Sequence, residues 1–180
     1  MKNDRLLNMR KYIRNYVEGG TYFFTMVTNN RKPLFLDPAL CELFLAGLIK
    51  VKSHQPFELD AYCILPDHIH LLVNLPTAVR DYSNIIKEIK KAVTKSIRKH
   101  LDQKDLVIWQ DRFWEHTIRD ERDMQTHYDY IHYNPVKHGY VESVVQWKWS
   151  SIDREFFDHE MKSSVEEFDA LNKKGNLFGE

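Results

Sequence analysis

The chain has 180 residues, with 26 Lys+Arg against 26 Asp+Glu, two cysteines and 43% hydrophobic residues, enough for one domain with a real core. No apolar run approaches the roughly 20 residues needed to cross a bilayer, which excludes a helical membrane span. Cys41 and Cys63 form no C-x-x-C pair, and the polar start Met1-Lys2-Asn3-Asp4-Arg5 leads into no secretory h-region, so a reducing cytoplasmic compartment is expected. The neutral total hides an asymmetry: residues 151–180 hold eight acidic groups against four basic ones, leaving residues 1–150 at +4. A mildly basic body with an acidic tail permits nucleic acid as a partner without demanding it.

Residues 1–20 form a basic segment in which Arg5, Arg10, Lys11 and Arg14 are interleaved with Tyr12 and Tyr16. Residues 21–28, rich in β-branched and aromatic side chains, predict the first strand. Asp37-Pro38 reads as the N-cap and first-turn proline of a helix reaching about His54. Residues 57–65 and 68–75, divided by Pro66-Asp67 and stopped by Pro76, predict an antiparallel strand pair. From Asp81 to Leu101 the apolar period becomes helical. Ile85, Ile86, Ile89, Val93 and Ile97 fall within about 120° of a wheel, and Lys87, Lys90, Lys91, Lys95 and Arg98 take the other side. A short apolar piece at 106–109 precedes a fourth strand at 113–118. A third helix starts near Arg119 and is expected to stop near Asn134, because Pro135 disfavours helical geometry in the residue before it. The order predicts an α+β fold: a ferredoxin-like split-βαβ antiparallel sheet with two helices on one face, plus the third helix. Residues 1–152 form one domain and 153–180 an acidic tail.

Four groups could carry chemistry. His68 and His70 stand at i, i+2 on a strand, so both project to one face and could supply two corners of a divalent-metal site. Two histidines on a polar sheet face would look the same. Tyr130 and Asn134, at i, i+4, share a helix face with His127. A phenol with a reference pKa of about 10 needs a nearby cation or base to act as a nucleophile; the alternative is a packed aromatic and a helix cap. The cationic face of the second helix suits phosphates, or simply water. Glu115-His116 can be read as an acid/base pair, a spacing that also recurs by chance.

In order, Gly20-Thr21-Tyr22-Phe23-Phe24-Thr25, Asp67-His68-Ile69-His70-Leu71-Leu72-Val73, Arg112-Phe113-Trp114-Glu115-His116-Thr117-Ile118-Arg119, Tyr130-Ile131-His132-Tyr133-Asn134-Pro135-Val136-Lys137-His138-Gly139 and Trp147-Lys148-Trp149-Ser150-Ser151 form a series. Over about residues 10 to 152 the chain resembles the REP-associated tyrosine transposases, relatives of the single-tyrosine HUH transposases of small insertion sequences. The resemblance implies a metal-dependent single-strand DNA endonuclease and strand transferase. His68 and His70 are then the HUH metal pair, Tyr130 the nucleophile and Asn134 the third ligand, with Mg²⁺ or Mn²⁺ as the metal and no nucleotide cofactor. It further implies a 5′-phosphotyrosine intermediate, single-stranded REP hairpins as partner, and a monomer where the insertion-sequence relatives form dimers.

Phosphate contacts are then expected from Arg10, Arg14, Lys87, Lys91, Lys95, Arg98, Arg112 and Arg119, and base stacking on Tyr12, Tyr16 or Trp149. His127 and His132 are the candidates for taking the phenolic proton. Three competing readings are a rolling-circle initiator or relaxase, a hairpin-binding protein whose catalysis has lapsed, and an RNA-binding module. Relaxases place the tyrosine before the histidines, whereas here it follows; the RNA-binding reading explains neither the histidines nor Tyr130.

Overall fold

The computed structural model describes residues 16–79 and 81–152. The predicted strands and helices are all present: β1 Thr21–Val27, α1 Pro38–Lys52, β2 Glu58–Ile64, β3 His68–Asn74, α2 Tyr82–Leu101, β4 Trp114–Thr117 and α3 Glu121–Lys137. Helix starts follow local chemistry. Asp37 accepts from Ala39 N, Asp81 from Ser83 N and Asn84 N, and Asp120 from Asp123 N, each satisfying main-chain donors that a first turn leaves open.

The four strands form one antiparallel sheet in the order β2-β3-β1-β4. Each βαβ unit is therefore split by a strand of the other, the ferredoxin-like arrangement expected from the element order. Period-two alternation divides the side chains between two cores. Tyr22, Phe24 and Met26 of β1 and Ile69, Leu71 and Val73 of β3 pack with the apolar stripes of α1 and α2. Phe23 and Leu72 join Ala61, Cys63, Tyr130 and Ile131 on the opposite face, under α3. The sheet therefore separates the cationic helix α2 from the tyrosine-bearing helix α3.

The C-terminal end of α3 corrects the sequence reading. The helix continues through Pro135 to Lys137. Pro135 has no N–H to donate, but it sits in the last turn, where the cost is a single hydrogen bond. The stop is made instead by Gly139 in the left-handed region (φ 70°), with Gly139 N donating to Val136 O and Tyr140 N to Pro135 O. This pair of bonds is a Schellman closure, and it needs glycine at that position. Helical geometry is thereby carried past Asn134.

The Trp-x-Trp-Ser-Ser segment covers the outer edge of β2. Ile64 N donates to Trp149 O, Ser151 N to Tyr62 O, and Trp147 Nε1 to Ile64 O. An edge that would otherwise present unpaired main-chain groups is closed. Arg10, Arg14, Tyr12 and the acidic tail lie outside the described residues. No helix of the described residues is long and apolar enough to cross a membrane.

Candidate active site

On β3 the same alternation that buries Ile69 and Leu71 beneath α1 and α2 turns His68 and His70 toward α3. Their ring centroids are 4.9 Å apart, and both residues are almost fully buried. His70 is opposite Thr25 in the β1–β3 register, and its Nδ1 lies 3.0 Å from Thr25 Oγ1. His68 Nδ1 lies 2.7 Å from Asp67 Oδ1. Asp67 is held at about 2, chiefly by that hydrogen bond and further by Arg31, whose guanidinium is 3.0 Å away. An ionised carboxylate can only accept, so His68 Nδ1 donates to Asp67 and Nε2 is the ring nitrogen left for a metal. Asn134 Nδ2 faces His70 Nε2 at 3.2 Å, so the Nε2 side of His70 is the one turned toward α3.

The facing residues come from one stripe of α3. Asp123, His127, Tyr130, Asn134 and Lys137 follow at intervals of four, three, four and three, and so share the face toward the sheet. Tyr130 is fully buried, its ring edge-on to His70 at 5.5 Å and to Phe23 at 6.2 Å. Lys137 Nζ donates to the Tyr130 hydroxyl at 3.3 Å and lies 4.7 Å above its ring. Two imidazole lone pairs and an amide that presents Oδ1 after a 180° turn make a donor set suited to a divalent ion. Nδ1 of each imidazole is anchored by an outer partner, as in metal-binding histidines.

The IS200-like transposase family model matches residues 16–134. The chain is 44% identical over 155 residues to a protein of Haemophilus influenzae named as a REP-associated tyrosine transposase, covering 82% of this chain and 88% of that one. A REP-associated tyrosine transposase of Escherichia coli is 42% identical over 147 residues, covering 82% of this chain and 85% of its own. The chain belongs to the IS200-like family of tyrosine transposases. A solved structure of a REP-associated tyrosine transposase bound to a REP hairpin has the same fold, with a TM-score of 0.73 and 39% identity over 83% of this chain and 89% of that one.

Within this transposase the other sequence candidates are distributed unevenly. His132 turns its Nε2 to Ser151 Oγ at 2.9 Å and its ring onto Tyr128, tying α3 to the segment that covers β2. His127 directs Nδ1 to the Asp123 main-chain oxygen at 2.8 Å, and its ring stacks on His116. Burial pushes both imidazoles down to about 4, which makes them poor acceptors for a phenolic proton. The cation at the phenol is Lys137, which the sequence reading passed over. Its signal was available as the next position of the Tyr130–Asn134 stripe. Glu115 and His116 are not a pair: neighbours on a strand point to opposite faces. Glu115 accepts from Tyr82 Oη at 2.8 Å on the α2 side, and His116 meets Asp123 under α3.

The two buried imidazoles set an acid limit on the fold. With folded values near 4 against an unfolded 6.5, the unfolded chain binds more protons between those limits, so stability falls as pH drops through 6.5 toward 4. Each is expected to cost about 2 kcal/mol at pH 5 relative to pH 7. Urea denaturation at the two pH values, with His132→Phe recovering roughly half of the difference, is the measurement.

On the far side of the sheet, Lys90, Lys91, Lys95, Arg98, Lys99 and Lys104 line a groove of about 690 Å³ along α2. Lys87 lies one turn earlier and is exposed. Lys90 Nζ donates to Gln110 O at 2.9 Å, joining this groove to the loop that carries Arg112. Arg119 is paired with Asp123 at 3.0 Å. Tyr16 stacks on Tyr82 at 4.8 Å, and Trp149 lies under Lys148.

Proposed function

We propose that the chain is a single-strand DNA endonuclease and strand transferase that acts on REP-type hairpins through a 5′-phosphotyrosine at Tyr130. The convergence of His68, His70 and Asn134 on Tyr130 from β3 and α3 of one chain supports this reading. It also favours a monomer, since no residue of a second copy is needed to complete the set. His68, His70 and Asn134 would hold Mg²⁺ or Mn²⁺, which when bound neutralises charge on a non-bridging phosphate oxygen. Imidazoles favour Mn²⁺ on ligand softness, and availability favours Mg²⁺.

The chain's own residues supply the rest. Tyr130 Oη forms a bond to phosphorus while the bond to the 3′ oxygen breaks, leaving a 3′-OH on one strand and the 5′-phosphate on the enzyme. The ester conserves the bond energy, so a second 3′-OH can reverse the step without ATP. Lys137 stabilises the phenolate as it forms. Lys137→Met is expected to slow cleavage by about 10- to 100-fold and to move the rising limb of the pH–rate profile upward by about one unit. A slower rate with an unmoved profile would leave Lys137 a packing role only.

The cationic face of α2 would contact phosphates of the hairpin, and Arg112 lies in the loop that Lys90 ties to it. Replacing Lys91, Lys95 and Arg98 together with Gln is expected to reduce the slope of log K against log salt by about 2 to 3. An unchanged slope removes that helix from the interface. The decisive experiment incubates the full chain with a labelled single-stranded hairpin from repeats flanking its own gene, in Mn²⁺ or Mg²⁺. A denaturant-resistant protein–DNA adduct is expected. Binding without adduct in either metal across several hairpins would instead mark a hairpin-binding protein whose catalysis has lapsed.

A further inference from the structure

The tyrosine-bearing stripe of α3 starts with residues that the phosphoryl chemistry does not use. Asp123 and His127 lie seven and three residues before Tyr130, and β4 brings His116 against them. His116 Nε2 is 2.8 Å from Asp123 Oδ2, and His127 Nδ1 is 3.3 Å from Asp123 Oδ1. One donor atom from each of the three residues lies within 4.8 Å of the other two, the only such His/Cys/Asp/Glu group among the described residues. Asp123 and His127 are 7% and 2% exposed, while the His116 side chain is 21% exposed and leaves the group open on one side. The two imidazole rings stack at 4.6 Å and 15°. Phe23 stands between this group and the catalytic one, 5.0 Å from the His127 ring and 5.1 Å from the His70 ring.

The donor chemistry is that of an open zinc site, two imidazole nitrogens and one carboxylate oxygen with a fourth position left for water. Bonds of 2.0–2.2 Å in a tetrahedron set its edges at about 3.4 Å. Both observed separations, 2.8 and 3.3 Å, are shorter than that edge, so the side chains move slightly apart on binding. The cation takes the place of the protons on His116 Nε2 and His127 Nδ1, the latter now 2.8 Å from the Asp123 main-chain oxygen. His127, held near 4 by burial, is uncharged at neutral pH. Arg119 is the opposing charge: its Nε lies 3.0 Å from Asp123 Oδ2, but its side chain is 73% exposed and free to swing into solvent. Imidazole with carboxylate selects Zn²⁺ over Mg²⁺.

We propose that His116, Asp123 and His127 form a second cation site, of the Zn²⁺ class, which pins the first half of α3 to β4. The site is distinct from the His68–His70–Asn134 group and holds the tyrosine helix against the sheet from its other end. It does not depend on the nuclease reading, because its test reads metal occupancy and stability rather than DNA cleavage.

The test titrates the full chain, in a His68→Ala/His70→Ala background, with Co²⁺ as a spectroscopic stand-in for Zn²⁺. One equivalent is expected to bind with the intense visible absorption of low-coordinate Co²⁺. Zn²⁺ is expected to displace it and to raise Tm by about 5 °C at hundredfold excess over Kd. Adding His116→Ala, or the isosteric Asp123→Asn, abolishes both signals, while Arg119→Ala tightens binding about tenfold by removing the competing cation. A chain that binds no Co²⁺ in that background, or whose absorption survives His116→Ala, overturns the proposal. Should the double background fail to fold, the wild-type chain serves: its Co²⁺ stoichiometry must fall by one equivalent with His116→Ala, and an unchanged stoichiometry is equally fatal.

Discussion

Tyr130→Phe is expected to leave hairpin affinity unchanged and to remove cleavage altogether, a loss of at least about 10⁴-fold with no covalent adduct. The phenylalanine ring preserves the edge-on contacts with Phe23 and His70 that fill this part of the second core. Only the oxygen goes, and with it the Lys137 contact, worth about 1 kcal/mol of stability. The variant therefore separates the nucleophile from the fold. Gel mobility of the hairpin complex, set beside denaturing electrophoresis for the adduct, reads the two quantities on one sample. Cleavage that persists in the variant would move the nucleophile to another residue or to water, and the phosphotyrosine reading would fall with it.

His70→Ala is expected to cost about 10³-fold in cleavage at fixed Mn²⁺, with a Kd for the hairpin within about threefold of wild type. His70 is fully buried and touches the Thr25 hydroxyl, the Asn134 amide and the rings of Phe23 and Tyr130. It is the hub on which the proposed ligands and the nucleophile meet. Raising the Mn²⁺ concentration is expected to recover part of the loss, because a two-ligand site binds the ion more weakly but leaves Tyr130 in place. A loss that no metal concentration relieves would point to His70 as an orienting group for Tyr130 instead. Thermal unfolding of the variant accompanies the assay, since emptying a packed position also costs stability.

The strands and the first two helices were legible because their signals are local: β-branched and aromatic residues in 21–28, prolines bounding 57–65 and 68–75, an Asp-Pro helix start, and a 120° apolar stripe in α2. The end of α3 was misread because a proline signal was weighed without the glycine four residues later, and the Schellman bonds of Gly139 decide the stop. Spacing alone put His68 with His70 and Tyr130 with Asn134 on shared faces but left their roles open, and the family resemblance chose between the readings. What brings the pairs together is not local. The strand order places β3 beneath α3, and the β1–β3 pairing sets Thr25 beside His70. The same order parts the cationic helix from the tyrosine helix, a separation that a tally of basic residues cannot show. His116 and Asp123 were missed as partners for this reason too: seven residues apart in the chain, they meet across the β4–α3 corner.

The depth of the Tyr130 phenol bears on what becomes of the strand after it is cut. With no solvent-accessible surface of its own, the phenol is reached only by a phosphate that displaces or rearranges the side chains around it. The resulting ester would then lie where bulk water has little entry, and hydrolysis, which would release a nicked strand, becomes the slow exit. A second 3′-OH, delivered by DNA already held on the protein, meets no such barrier. Rejoining would be favoured over simple breakage by where the oxygen sits, and the lifetime of the cut end would be set by the arrival of a partner strand.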